Sequence, residues 1–151
     1  MIAMTVPEVL QTYVQRGVFQ DFRPAADKKM FDFVWLNYQR MRVQWQPAQQ
    51  TIYFRDVIPN VAARSKMDQE IRAFLRGRTT ADLPEHRRVD PDAFDLVCEN
   101  RKSQMSVGIR LKTGTEEEGT RQLMAVMHET FIFLHQRWPE YMYESFGSPL
   151  E

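Results

Sequence analysis

Among 151 residues there is one cysteine, Cys98, only six glycines, and no excess of either charge, with 20 basic side chains against 20 acidic. A single thiol makes no internal disulfide, so the chain is not a disulfide-stapled secreted scaffold, and a reducing compartment is expected. Phosphate neutralisation supplies most nucleic-acid affinity, and a chain without a basic surplus is a poor candidate for that role. Glycines do not fall at phosphate-cradling spacing. Gly114 and Gly119 flank Glu116, Glu117 and Glu118, no lysine completes a Walker motif, and the acidic run would repel phosphate. No apolar stretch reaches membrane-spanning length, and the start Met1-Ile2-Ala3-Met4 is too short for a leader. A soluble, cytoplasmic protein without membrane contact is therefore expected.

What remains is an ordinary globular composition, long enough to bury a core without metals or disulfides. One α+β domain over residues 1–151 is expected, with residues 1–4 disordered. Thr5, Pro7 and Glu8 mark a helix start, Val6, Val9, Leu10, Tyr13 and Val14 recur at helical spacing, and Gly17 stops the run. Residues 18–29 read as a connection. From Met30 to Asn37, Phe31, Phe33 and Trp35 alternate like a strand, while Met30, Val34, Tyr38 and Met41 also fit a helical stripe. Aromatic and β-branched content favours the strand.

Met41, Val43 and Trp45, then Ile52 and Phe54, alternate with polar residues around a turn at Pro47–Gln50, and Pro59 closes this hairpin. Asn60 or Ser65 begins a second helix carrying Met67, Ile71, Phe74 and Leu75, ended by Gly77. A polar loop, residues 78–92, is long for a connection inside a domain and is expected to be mobile or to make a functional contact. A second hairpin sets Phe94, Leu96 and Cys98 in phase, then Met105, Val107, Ile109 and Leu111, with Arg110 and Lys112 on the other face. Thr115 caps a long last helix bearing Leu123, Met124, Met127, Phe131, Leu134 and Trp138, after which Pro139 breaks or kinks the chain. Tyr141, Met142, Tyr143 and Phe146 form an aromatic tail. The expected fold is one antiparallel sheet of four to five strands with helices on one face.

Candidate chemistry is thin. His128 and His135 lie about 10 Å apart along a helix and cannot share a metal, and His86 sits in the polar loop. Cys98 in the apolar phase of a strand reads as a core residue rather than a nucleophile. Trp35, Trp45 and Tyr53 suggest a base-stacking platform, yet their strand phase favours packing. No metal or cofactor is expected. Arg76, Arg78, Arg87 and Arg88 bracket the long loop and form a candidate grip for an anion or acidic partner. Val126, Thr130 and Phe133 make a second apolar strip on the last helix, with Ile132 on a third side. That surplus makes Val126, Ile132 and Phe133 candidate contacts for a partner or a homodimer.

Val57-Ile58-Pro59 leads into a helix, and the strand Val107 to Lys112 runs into Gly114 to Gly119 and a helix ending in aromatics. On these patterns and the element order, the chain resembles the fold shared by type III secretion chaperones and the YbjN-like bacterial proteins, from Thr5 through the last helix. The resemblance implies a small, dimeric, non-catalytic binding protein. The expected function is thus a chaperone-like or adaptor module acting on protein partners. The alternative is a small enzyme or ligand-binding domain built on the 78–92 loop with His86.

Overall fold

In the computed structural model, which describes residues 3–80 and 82–148, the first helix α1 (Val6–Gln15) starts where the sequence places it. The Thr5 hydroxyl accepts from the Glu8 amide, and the Glu8 carboxylate accepts from the Thr5 amide at 2.9 Å, a reciprocal cap that satisfies two orphan donors. Gly17 then leaves the helix at φ +75°, a conformation that glycine adopts without penalty. Of the expected disordered residues 1–4, Met1 and Ile2 lie outside the described residues, and the Met4 amide donates to Glu117 at 2.9 Å.

Four strands follow: β1 (Gln20–Pro24), β2 (Met30–Val34), β3 (Arg40–Gln46) and β4 (Thr51–Ile58). After them come α2 (Lys66–Arg76), β5 (Phe94–Arg101), β6 (Gln104–Leu111), α3 (Glu116–Arg137) and α4 (Pro139–Phe146). All strands join one antiparallel sheet in the order β1-β2-β3-β4-β6-β5. The sheet thus has six strands rather than four to five. The additional strand is β1, inside the segment read as a connection. It pairs on one side only, its register shifts between Gln20 and Arg23, and only Phe22 among its residues is even half-buried, so no apolar alternation announces it. The ambiguous stretch after Met30 is a strand to Val34. It then turns sharply, with Asn37 and Tyr38 both at positive φ.

Register explains which face is dry. Phe31 stands opposite Val43, Val43 opposite Phe54, Phe54 opposite Val107, and Val107 opposite Cys98, giving one apolar row across five strands. Gly108 sits one position along, on the other face, beneath the Tyr53 ring, where a Cβ would come within 2.7 Å of the Ile52 carbonyl oxygen. β4 bulges before Ile58, with Asp56 at φ +51°, and the Asp56 amide, turned out of the ladder, donates to the Ser106 hydroxyl at 2.9 Å.

Thr115 caps α3 through the same reciprocal device with Glu118. Its buried residues, from Gly119 to Leu134, spread over an arc of about 160° at ~100° per residue. That breadth corrects the expectation of a surplus strip. Val126 and Thr130 are buried inside the monomer, and Phe133 stacks on Phe74 of α2 with ring centroids 4.5 Å apart. α3 is enclosed by the sheet, α1, α2 and α4 rather than by the sheet alone, and the Thr130 hydroxyl donates to the Val126 carbonyl at 2.6 Å. Only Ile132 of the three named contacts stays exposed. Pro139 opens α4, which folds the tail back: Met142 is fully buried and Phe146 lies 5.4 Å from Phe131.

Gly108→Ala is expected to lower stability by about 1–3 kcal/mol, because the added methyl meets a backbone oxygen that cannot move alone. A urea titration checks this, and an unchanged midpoint would contradict the packing described.

Candidate functional site at the edge of the sheet

The four loop arginines do not form one set. After α2, Arg78 lays its guanidinium over the Phe74 ring at 4.2 Å and pairs with Glu129 of α3, both side chains being largely buried. Arg87 reaches the same carboxylate at 3.3 Å. Just after Arg87, Val89 is fully buried, and its amide donates to the Arg78 carbonyl at 2.8 Å. The 78–92 segment is therefore pinned to α3 through Glu129. Arg88 turns back to the Leu83 carbonyl at 2.9 Å. Arg76 alone faces a cleft, and its guanidinium makes no ion pair among the described residues. The His86 side chain, on which the loop-centred alternative leaned, lies outside the described residues.

That cleft, about 440 Å³, opens between α2 and β5. Leu75, Phe94, Leu96 and Cys98 line it with apolar surface, and Arg72 and Arg76 contribute charge. Arg72 holds Asp68 at 2.7 Å and donates to the Cys98 carbonyl at 3.1 Å. Cys98 keeps the apolar phase expected of it, opposite Val107, but it is half-buried rather than a core residue. The reason is position: β5 is the last strand of the sheet, and among the described residues no strand pairs with its outer side. Burial still pushes the thiol up to about 11, against the partial relief offered by Arg72.

The hydrogen-bond phase of β5 follows from three contacts. Lys112 donates to the Ala93 carbonyl, Phe94 donates away from the sheet to Asp90, and the Cys98 carbonyl points out to Arg72. Antiparallel alternation then turns the backbone groups of Phe94, Leu96, Cys98 and Asn100 outward. This outer side is regular: β5 keeps eight consecutive pairs with β6 and has no bulge. The opposite edge differs. β1 is five residues long, irregular in register, charged at Asp21 and Arg23, and ends in Pro24, all features that discourage pairing.

The open face of the sheet is polar and internally matched. Arg42 pairs with Asp32 at 2.8 Å, Arg55 with Glu99 at 3.0 Å and with Gln44 at 2.6 Å, and Arg110 with Asp95. Arg55 also covers the Tyr53 ring at 3.9 Å, Trp45 is buried on the helix side, and Trp35 lies over Phe54. These rings make no stacking platform. His128 and His135 are exposed on α3, with His135 Nε2 3.2 Å from Asn37 Oδ1, while Asn37 Nδ2 donates to Ser148. Among the described residues no three His, Cys, Asp or Glu side chains gather where a metal would bind, and no helix is long and apolar enough to cross a membrane. No protein-family model, curated protein or solved structure matches the chain.

Three outcomes are expected. Since the folded thiol holds its proton up to about 11 against 9.0 ordinarily, iodoacetamide at pH 8 reacts about a hundredfold more slowly with native than with unfolded Cys98. The same shift contributes stability that is complete below pH 9.0 and is lost as pH rises towards about 11. Equal alkylation rates would show that Cys98 is open to solvent. Glu129→Ala strands the largely buried Arg78 and is expected to cost on the order of 3 kcal/mol, whereas Arg87→Ala, at an exposed position, costs below ~1 kcal/mol. Denaturant titration of the two variants compares them directly.

Proposed function

We propose that this chain is a non-enzymatic protein-binding module, of chaperone-like or adaptor type, that takes up an extended polypeptide by strand addition along β5. The observation that supports it best is the contrast between the two sheet edges: β1 is blunted, and β5 is eight residues long, regular and outward-facing. In strand addition, main-chain hydrogen bonds supply affinity and pockets for alternate side chains supply selectivity. The cleft beside β5 is such a pocket, with Leu75 and Leu96 for an apolar side chain and Arg76 for a carboxylate or a C-terminal residue nearby. The resemblance in sequence pattern and element order to type III secretion chaperones and YbjN-like proteins implies the same kind of role. A cytoplasmic setting suits a chain whose one thiol has no internal partner. The alternative, a small enzyme or ligand-binding domain using residues 78–92, has less support, because Arg78 and Arg87 are committed to Glu129.

Leu96→Pro tests the proposal. The Leu96 amide turns outward, so proline removes a donor that the fold itself does not use, while a strand docked along β5 loses it. Captures from native cells by the wild-type chain and by Leu96→Pro, matched in thermal melting, are compared by mass spectrometry. The expected result is that proteins retained by the first are weakened about tenfold or lost with the second. Identical sets would overturn the proposal.

A further inference from the structure

The strand best matched to this edge is present in the chain itself: we infer that β5 pairs antiparallel with β5 of a second copy, about a two-fold axis at Cys98. This rests on the reading of β5 as a docking edge and names what docks there. Pairing on the outer side requires the outward residues Phe94, Leu96, Cys98 and Asn100 to oppose one another, so the register can move only in steps that keep facing side chains on one face. Few registers are then available, and the charges of the strand discriminate among them.

Centred on Cys98, the pairing sets Asp95 opposite Arg101 of the second copy, and symmetry repeats that pair. Both residues lie on the open face, at positions that do not exchange hydrogen bonds and where side chains approach most closely. Leu96 meets Asn100, Val97 meets Glu99, and Cys98 meets its own counterpart. Moving the axis to Val97 brings Asp95 against Glu99 twice. Moving it to Glu99 sets that carboxylate against itself. An axis at Asn100 pairs Glu99 with Arg101, but it runs most of the overlap into the turn, where Lys102 and Ser103 sit at φ 52° and 64°. Of these registers, the one centred on Cys98 combines overlap of residues 95–101, all of β5 but Phe94, with opposite charges.

Of the two charged residues, Asp95 already pairs with Arg110 and with Lys112 at 3.7 Å, and would share its carboxylate. The Arg101 side chain is 80% exposed and touches Glu99 only at 3.6 Å. Pairing requires Arg72 to release the Cys98 carbonyl, and Asp68 still holds its guanidinium at 2.7 Å. A two-fold axis perpendicular to the sheet also keeps both α2 helices on the same face, so each copy closes the open side of the other's cleft. The contact is isologous and leaves no further regular edge, since β1 at each end is blunted.

The test uses the full chain in multi-angle light scattering at micromolar concentration, with circular dichroism on every variant. The wild type is expected to be a dimer. Asp95→Arg and Arg101→Asp each weaken it by about tenfold or more, and the double variant restores it. A hydrogen-bonded pair places its Cα atoms about 5.5 Å apart, within disulfide range, so copper–phenanthroline oxidation yields a covalent dimer that Cys98→Ser abolishes. A wild-type monomer at about 100 µM overturns the inference. So does a dimer indifferent to both charge reversals that also fails to cross-link. If the chain is monomeric while Leu96→Pro still abolishes capture of other proteins, self-pairing fails and the docking edge stands. A dimer that survives Leu96→Pro overturns the self-pairing alone, and the docking edge is then judged by the capture comparison.

Discussion

Between β4 and β6 the sheet has no freedom of register, and most of the molecule follows from that. A slip by one residue would send Val107 and Ile109 to the polar face and bring Arg110 inside, reversing every side chain of the strand. The pairing of Phe54 with Val107 carries the apolar row outward on both sides, to Val43 and Phe31 in one direction and to Cys98 in the other. α3 lies on that row, and α1 and α2 flank it. Gly108 makes the register exclusive, because the Tyr53 ring occupies the space above it. The polar face is then left with a ladder of charges that satisfy one another across strands, from Arg42 and Asp32 to Arg110 and Asp95.

Elements whose signal is local were legible. The caps at Thr5 and Thr115, the period-two hairpins and the stop at Pro59 all appear where the sequence places them, since each depends on neighbours within a few positions. β1 was not legible, because a polar edge strand owes its existence to β2 rather than to its own pattern. Val126 and Phe133 were misplaced for a related reason. A helical wheel shows how much of a helix is apolar but not how many elements enclose it, and Phe74 supplies the missing cover. The arginines show the same limit. Nothing in the spacing of Arg78 and Arg87 reveals that both meet Glu129, 51 and 42 positions away. The candidate site had one sequence marker, the apolar phase of Leu96 and Cys98. That phase indicates which way a strand faces and not whether it stands at the edge, which the insertion of β6 between β4 and β5 decides.

Rigidity is unevenly distributed around the cleft. One wall is α2, tied to α3 through the stacked Phe74 and Phe133 and through Glu70, which accepts from Arg137 and the Trp138 indole. The other wall is β5, held by strand pairing on its inner side and touched on its outer side by Arg72 at the Cys98 carbonyl and by Asp90 at the Phe94 amide. The segment joining the two walls is anchored midway by Val89 and Glu129. In the strand addition proposed here, the newcomer would meet a fixed helix and a fixed backbone, and ordering costs would fall chiefly on it.

The carboxylates in the first turn of α3 do more than favour that helix. Glu116 accepts from the Val6 amide at 3.0 Å and Glu117 from the Met4 amide, across separations of 110 and 113 positions. α1 is thereby fastened by residues translated 110 and 113 positions later. On the ribosome, α1 emerges long before its anchor exists. α1 settles only once that anchor follows, and a nascent chain halted before Glu116 carries a loose, amphipathic helix that is open to chaperones.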